Sequence, residues 1–183
     1  LAQDGIINKL RSNLPDCPFP IRYTSLTAFN ARYRQGRITA TGSLVYTNVT
    51  EHVKIGDAPA DFQRLAPSFT VSLQPWQEQL LFLRLMYKST FRMPTFNDLY
   101  YYRLGNRSLR PEKANEYNMG ITWSRSFSSF LNYLSVTVDG YYNDVTDKIV
   151  AFPTTYAWKM ANYGKVHVTG MDATLAAAAS LGK

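Results

Sequence analysis

The stretch "RITATGSLVYT", Arg37 to Thr47, sets Ile38, Ala40, Gly42, Leu44 and Tyr46 on one side and Thr39, Thr41, Ser43 and Val45 on the other. Successive side chains of a strand point to opposite faces, so a period of two marks a strand with two unlike faces. The alternation recurs. "SFTVSLQ" sets Phe69, Val71 and Leu73 against Ser68, Thr70, Ser72 and Gln74. "EYNMGITW" sets Tyr117, Met119, Ile121 and Trp123 against Asn118, Gly120 and Thr122. "YLSVTVDGYYND" sets Leu134, Val136 and Val138 against Ser135, Thr137 and Asp139. A weaker strand is expected over Tyr23 to Arg34, and another over Val166 to Leu175, whose apolar face is ambiguous.

Two stretches pull the other way. "WQEQLLFLRLMYKST" is built from good helix formers. As a strand it places Leu81, Leu83, Leu85 and Tyr87 opposite Phe82, Arg84, Met86 and Lys88, and its strand neighbours favour that reading. "TLAAAAS" reads as helix by propensity.

The connections alternate between short and long. "RQG", "PWQE" and "SRSFSSF" are short; "EHVKIGDAPADFQRLAP", "RMPTFNDLYYYRLGNRSLRPEKA" and "TDKIVAFPTTYAWKMANYGK" are long. In an antiparallel up-and-down meander this puts tight turns at one end and large loops at the other. The expectation is an all-β fold of about seven strands. Transmembrane β-barrels have this asymmetry, with short periplasmic turns and long extracellular loops.

A soluble β-sandwich adhesion or binding module has the same period. Three features favour the barrel. The apolar faces end in Tyr46, Tyr87, Trp123 and Tyr142, as an interfacial girdle does. The strands are long. The opposite faces carry many hydroxyls and few charges. A charge facing lipid at mid-depth costs about 2–4 kcal/mol, so Arg84 belongs inside.

Composition narrows the function. The 183 residues suit one domain, and 45% hydrophobic content excludes a disordered chain. Aromatics make up 14%, led by 13 tyrosines. No apolar run approaches the ~20 residues of a membrane-spanning helix; "LLFLRLM" is interrupted by Arg84. Cys17 stands alone among Pro15, Pro18 and Pro20, so no disulfide framework exists within the chain. His52 and His167 lie in different segments without metal-ligand spacing, so no metal site is expected. No nucleophile elbow or phosphate-cradling glycine loop is present, and neither an enzyme nor a cofactor is expected. The net charge of +7 is spread over loops and turns. Contact with lipopolysaccharide phosphates accounts for it better than nucleic acid does. With no initiator Met, no signal peptide and a C-terminal pattern that stops midway, a fragment is expected.

The segment "STFRMPTFNDLYYYRLGNRSLRPEKANEYNMG" resembles the C-terminal barrel region of TonB-dependent outer-membrane receptors. The likeness rests on Phe91, Arg92, Pro94, Leu99, Tyr100, Gly105, Asn106, Leu109, Pro111, Glu112 and Glu116. "DGYYNDVTDKIV" and "NYGKVHVTGMDATL" add two further motifs in the same order, with Asn162, Gly164, Gly170 and Asp172; the family usually has Glu where Asp172 stands. The resemblance implies that residues 1–183 are part of a receptor barrel domain, with 1–20 as loop and the plug domain absent. It implies a Gram-negative outer-membrane location. It also implies import of a scarce ligand, such as an iron chelate or siderophore, haem, a corrinoid or an oligosaccharide. Energy would come through the TonB complex, contacted by an N-terminal region.

In that frame the loops face the exterior. Aromatic rings give rigid contact area and Arg gives charge-assisted bonds to carboxylates or phosphates. The candidate ligand contacts are Tyr100, Tyr101, Tyr102 and Arg103, with Tyr156, Trp158 and Lys159 on the next loop. The remaining motif residues are expected to build the loops. Asp98, Glu112, Glu116 and Asp139 are expected as ion-pair partners for Arg92, Arg84 or Lys88.

Overall fold

A computed structural model describes residues 1–11, 17–76, 80–127 and 131–179. They form one antiparallel sheet in which each strand lies beside its sequence neighbours. The strands are β1 (Ala2–Lys9), β2 (Ile21–Gln35), β3 (Ile38–His52), β4 (Phe62–Leu73), β5 (Leu80–Arg92), β6 (Glu112–Ser126), β7 (Leu131–Pro153) and β8 (Trp158–Ala179). A single helical turn, α1 (Phe96–Tyr100), sits between β5 and β6.

The meander has one strand more than the pattern shows. Ala2–Lys9, expected as loop, pairs along its whole length with β2, from Ala2 beside Ala28 to Lys9 beside Ile21. Asp4, Gly5 and Asn8 blur its own periodicity, so its strand character comes from the neighbouring ladder. "TLAAAAS" is strand, not helix, as far as Ala179; Ser180 lies outside the described residues. Ala173 to Ala179 pair with β7, and that ladder overrides the helix preference of alanine.

The loop end also differs from expectation. "TDKIVAFPTTYAWKMANYGK" is no large loop. β7 and β8 run on through it as a tall hairpin, closed where Thr154 N–H donates to the Ala157 carbonyl at 2.8 Å. The β3–β4 connection shortens to 53–61. The segment 93–111 keeps its length. At the other end Gly36, at φ +54°, turns β2 into β3. The turns expected at "PWQE" and "SRSFSSF" fall partly outside the described residues.

Register sorts the side chains. Thr39, Ser72, Arg84, Gly120, Asp139 and Asp172 form one continuous row on the polar face. Thr122 with Thr137 (3.1 Å) and Ser124 with Ser135 (2.9 Å) are hydroxyl pairs on the same face. On the opposite face Phe69, Tyr87, Tyr117, Tyr142 and Thr169 form a row, with Leu85, Met119, Gly140 and Met171 in the next.

Among the described residues Cys17, Pro18, Pro20, Val49, Leu99, Leu109 and Ile149 are buried, and they gather toward the loop end. No second sheet covers the apolar face among the described residues, where Leu85 is 54%, Met119 61% and Met171 73% exposed. A contiguous apolar surface of this kind needs a partner or a lipid.

Candidate functional site

The segment 93–111 begins with a self-contained turn. Thr95 caps α1: its Oγ1 accepts from Asp98 N–H at 3.2 Å, and Asp98 Oδ2 accepts from Thr95 N–H at 2.8 Å. This reciprocal capping box satisfies two amides that a bare helix start leaves open. Gly105 then doubles back, its N–H donating to the Tyr101 carbonyl at 2.8 Å. A Cβ on Gly105 would lie 2.6–2.7 Å from backbone atoms of Leu99 and Tyr100, so only glycine fits. Arg103, at φ +62°, carries the turn between them.

Two anchors hold the segment down. The first joins it to β2 and β3. Arg22 Nε donates to Glu51 at 2.7 Å, with both side chains buried. The Tyr100 hydroxyl donates to the other Glu51 oxygen. Phe96 lies under the Arg22 guanidinium at 4.9 Å, and the Arg107 guanidinium covers the Tyr100 ring at 5.4 Å. Burial pushes the Tyr100 phenol well above its ordinary pKa, and the neighbouring Glu51 adds to the shift. Tyr100 therefore stays protonated and stays a donor.

The second anchor joins the segment to the β7–β8 hairpin. Leu99 and Leu109 pack on Ile149, with Tyr100 and Met160 at the margin. Met160 N–H donates to the Leu104 carbonyl at 3.0 Å, and Asn106 Nδ2 donates to the Met160 carbonyl at 3.0 Å. Asn162 accepts from Arg110 N–H at 2.8 Å and donates to the Arg110 carbonyl at 2.9 Å. Glu112 sits below, accepting from Lys148 Nζ at 2.8 Å, Arg92 Nη2 at 3.1 Å and Ile149 N–H at 3.4 Å. Burial alone would raise the Glu112 pKa, but these donors outweigh it and hold the carboxyl below its usual value.

The anchors divide the candidate ligand contacts. Tyr100 is committed to Glu51 and faces inward. Tyr101 and Tyr102 are exposed, and Arg103 stacks over the Tyr102 ring at 5.1 Å. Tyr156 projects from the hairpin turn at 97% exposure, with Trp158 and Lys159 exposed beside it. The Met160–Leu104 bond joins residues adjacent in the chain to Lys159 and Arg103, so those two positions lie at the same part of the loop end. Arg22, Glu51 and Arg107 escaped the sequence reading: Arg22 and Glu51 are 29 residues apart and look like ordinary strand charges.

Several of the other motif residues make structural contacts. Arg92 meets Asp98 at 3.6 Å as well as Glu112. Tyr141 lies over Gly170, where a Cβ has no room. Lys88 and Glu116 are register partners, as are Asp139 and Asp172. Gly164 has open space around it. A cavity of about 230 Å³ opens between the loops beside Arg22, Glu51, Pro94 and Arg107.

A family model described as TonB dependent receptor-like, beta-barrel, matches residues 8–182. The chain belongs to the TonB-dependent receptor barrel family. It is similar to the vitamin B12 transporter BtuB of Vibrio vulnificus (strain YJ016), at 32% identity over 84 residues, 45% of this chain and 13% of that protein. Its fold is similar to that of the Serratia marcescens hemophore receptor HasR, solved as a double mutant in complex with its hemophore HasA and heme. The TM-score is 0.75 at 17% identity, over 88% of this chain and 32% of HasR. At that identity the likeness is one of fold. The chain thus spans a minor part of either relative's length. In a TonB-dependent receptor barrel the single sheet, bare apolar face and polar inner row follow from the fold: lipid is the second layer.

Proposed function

We propose that this chain is part of the barrel of an outer-membrane receptor in a Gram-negative bacterium. The receptor imports a scarce ligand: an iron chelate, haem, a corrinoid or an oligosaccharide. The observation that carries this reading is the clasp between 93–111 and the β7–β8 hairpin. It brings Leu104 and Asn106 against Met160 at the loop end of a family barrel, on the two segments that carry Tyr101, Tyr102 and Arg103 and Tyr156, Trp158 and Lys159. Rigid aromatic area with interspersed cations suits a bulky ligand that carries carboxylates or phosphates. Energy for release inward comes from the TonB complex. Lipopolysaccharide surrounds the loop end.

The test is uptake by cells in which the intact protein carrying this segment is the sole receptor. Labelled ferric chelates, haem, a corrinoid and an oligosaccharide are offered in turn. Accumulation of one of them, abolished by a protonophore or by loss of TonB, is expected. Uptake that survives both treatments defeats the proposal.

A further inference from the structure

Above the aromatic row, the outer wall changes character in steps. Tyr87, Tyr117 and Tyr142 are in ring contact across three strands, at 5.2 and 6.1 Å between centroids. The Tyr87 hydroxyl donates to Asn115 at 3.3 Å and the Tyr142 hydroxyl bonds His167 Nδ1 at 2.8 Å. Both hydroxyls therefore point toward the loop end. The next row on this face holds Asn115, Asp144 and His167, and the one beyond holds Lys113, Thr146 and Lys165. Lys113 and Lys165 are exposed. They stand two strands apart, roughly 10 Å at the ~4.8 Å strand spacing. Thr146 lies between them, and Asp144, one row nearer the tyrosines, faces His167 at 3.4 Å.

Below the same tyrosines lies a concavity of about 710 Å³, lined in part by Phe69, Leu85, Met119, Ile121 and Met171. It is apolar and opens on the outer wall, so it is no chamber for a polar ligand. From Tyr117 to Lys113 is roughly 13 Å along the strand at ~3.3 Å per residue. Apolar groove, hydroxyl-bearing rings and lysines thus follow one another in the order of acyl chain, glycerol or sugar, and phosphate.

We infer that this wall holds one anionic lipid of the outer leaflet, with acyl chains in the groove and phosphate between Lys113 and Lys165. The inference rests on the membrane-barrel reading above and adds a defined partner site to it. Charge complementarity selects the occupant: an exposed lysine pair directly over an apolar groove discriminates phosphorylated from neutral lipids of the same chain length.

The experiment uses the intact receptor, purified in detergent and examined by native mass spectrometry with diphosphoryl lipid A or its dephosphorylated form. Wild type is expected to retain the diphosphoryl lipid about 30-fold better. Lys113→Gln with Lys165→Gln is expected to remove most of that preference, leave retention of the dephosphorylated form unchanged and leave the folded, heat-modifiable band intact. Lys113→Arg with Lys165→Arg is expected to keep the preference. Equal retention of the two lipids by wild type, or an undiminished preference in the Gln variant, overturns the site. If the Gln variant does not fold, the wild-type comparison decides alone. Ligand uptake measured in parallel separates this outcome from a failure of the transport reading.

Discussion

Arg84 reaches across Gly120 to meet Asp139 at 2.8 Å, two strands away on the polar face. A Cβ on Gly120 would run into the Asp139 carboxylate and lie 3.0 Å from Arg84 Nη2. The glycine is the gap through which the ion pair passes. Both charged side chains are 43% exposed, so the pair itself contributes about 1 kcal/mol or less. Its larger consequence is register: β5, β6 and β7 align so that Arg84 never faces the apolar side. Gly120→Val is therefore expected to destabilise the barrel by about 1–3 kcal/mol through overpacking. Asp139→Asn, which keeps the space, is expected to cost less. The midpoint of heat modification of the intact protein in detergent compares the two; equal midpoints would refute the steric account.

Leu83 and Arg84 occupy opposite faces of β5. Leu83→Arg puts a guanidinium on the lipid side, at about 2–4 kcal/mol near mid-depth. Arg84→Leu only leaves Asp139 in a wet interior. The first variant is expected to reduce assembled barrel far more than the second, as read by folded band intensity in outer-membrane fractions. The reverse order would mean that the faces are assigned the wrong way round.

Gly105 and Gly164 both belong to family motifs, but to different physics. At Gly105 a Cβ would press on the backbone of Leu99 and Tyr100; at Gly164 nothing lies within 4 Å. Gly105→Ala is expected to loosen 93–111 and raise its proteolysis while the barrel stays folded. Gly164→Ala is expected to leave both unchanged.

Glu112 gives the loop junction a pH dependence. Its folded pKa is depressed below 4.5 by Lys148, Ile149 N–H and Arg92, despite burial. A depressed carboxylate adds stability that is present above its unfolded pKa and is lost as pH falls through the folded one. The junction is expected to hold at neutral pH and to loosen progressively as pH drops below about 4.5. Glu112→Gln is expected to flatten that dependence. Hydrogen exchange of residues 93–111 in the intact receptor reads both effects.

The strand faces were legible because period-two alternation is local. Ile38 to Tyr46 and Tyr117 to Trp123 state their faces in nine and seven letters. β1 and the alanine run Ala176–Ala179 were not legible, because their strand state is imposed by ladders on β2 and β7. The hairpin within "TDKIVAFPTTYAWKMANYGK" was hidden for a related reason. Asp147, at φ +55°, interrupts the alternation just where pairing continues from Lys148 to Pro153. At the rim, composition pointed to the tyrosines but not to which of them is structural. That distinction depends on Glu51, a residue 49 positions away from Tyr100.

The same distinction yields the sharpest expectation for ligand capture. Tyr101 and Tyr102 are exposed, and the bonds of Tyr101 to the rest of the segment run through its backbone, so Tyr101→Ala with Tyr102→Ala removes contact area without disturbing an anchor. Buried aromatic contacts at interfaces are worth about 1–3 kcal/mol each, so affinity for the imported ligand is expected to fall about tenfold or more. The barrel melting profile should not move. Tyr100→Phe leaves the rim rings in place but strips Glu51 of a buried donor, a loss of about 1–3 kcal/mol. It is expected to loosen 93–111 first and to weaken binding only as a consequence, with a proteolysis change that the Tyr101 and Tyr102 variants lack. If the double alanine variant binds and transports as wild type does, the rim is not the capture surface, and the cavity beside Arg22 and Arg107 becomes the place to look.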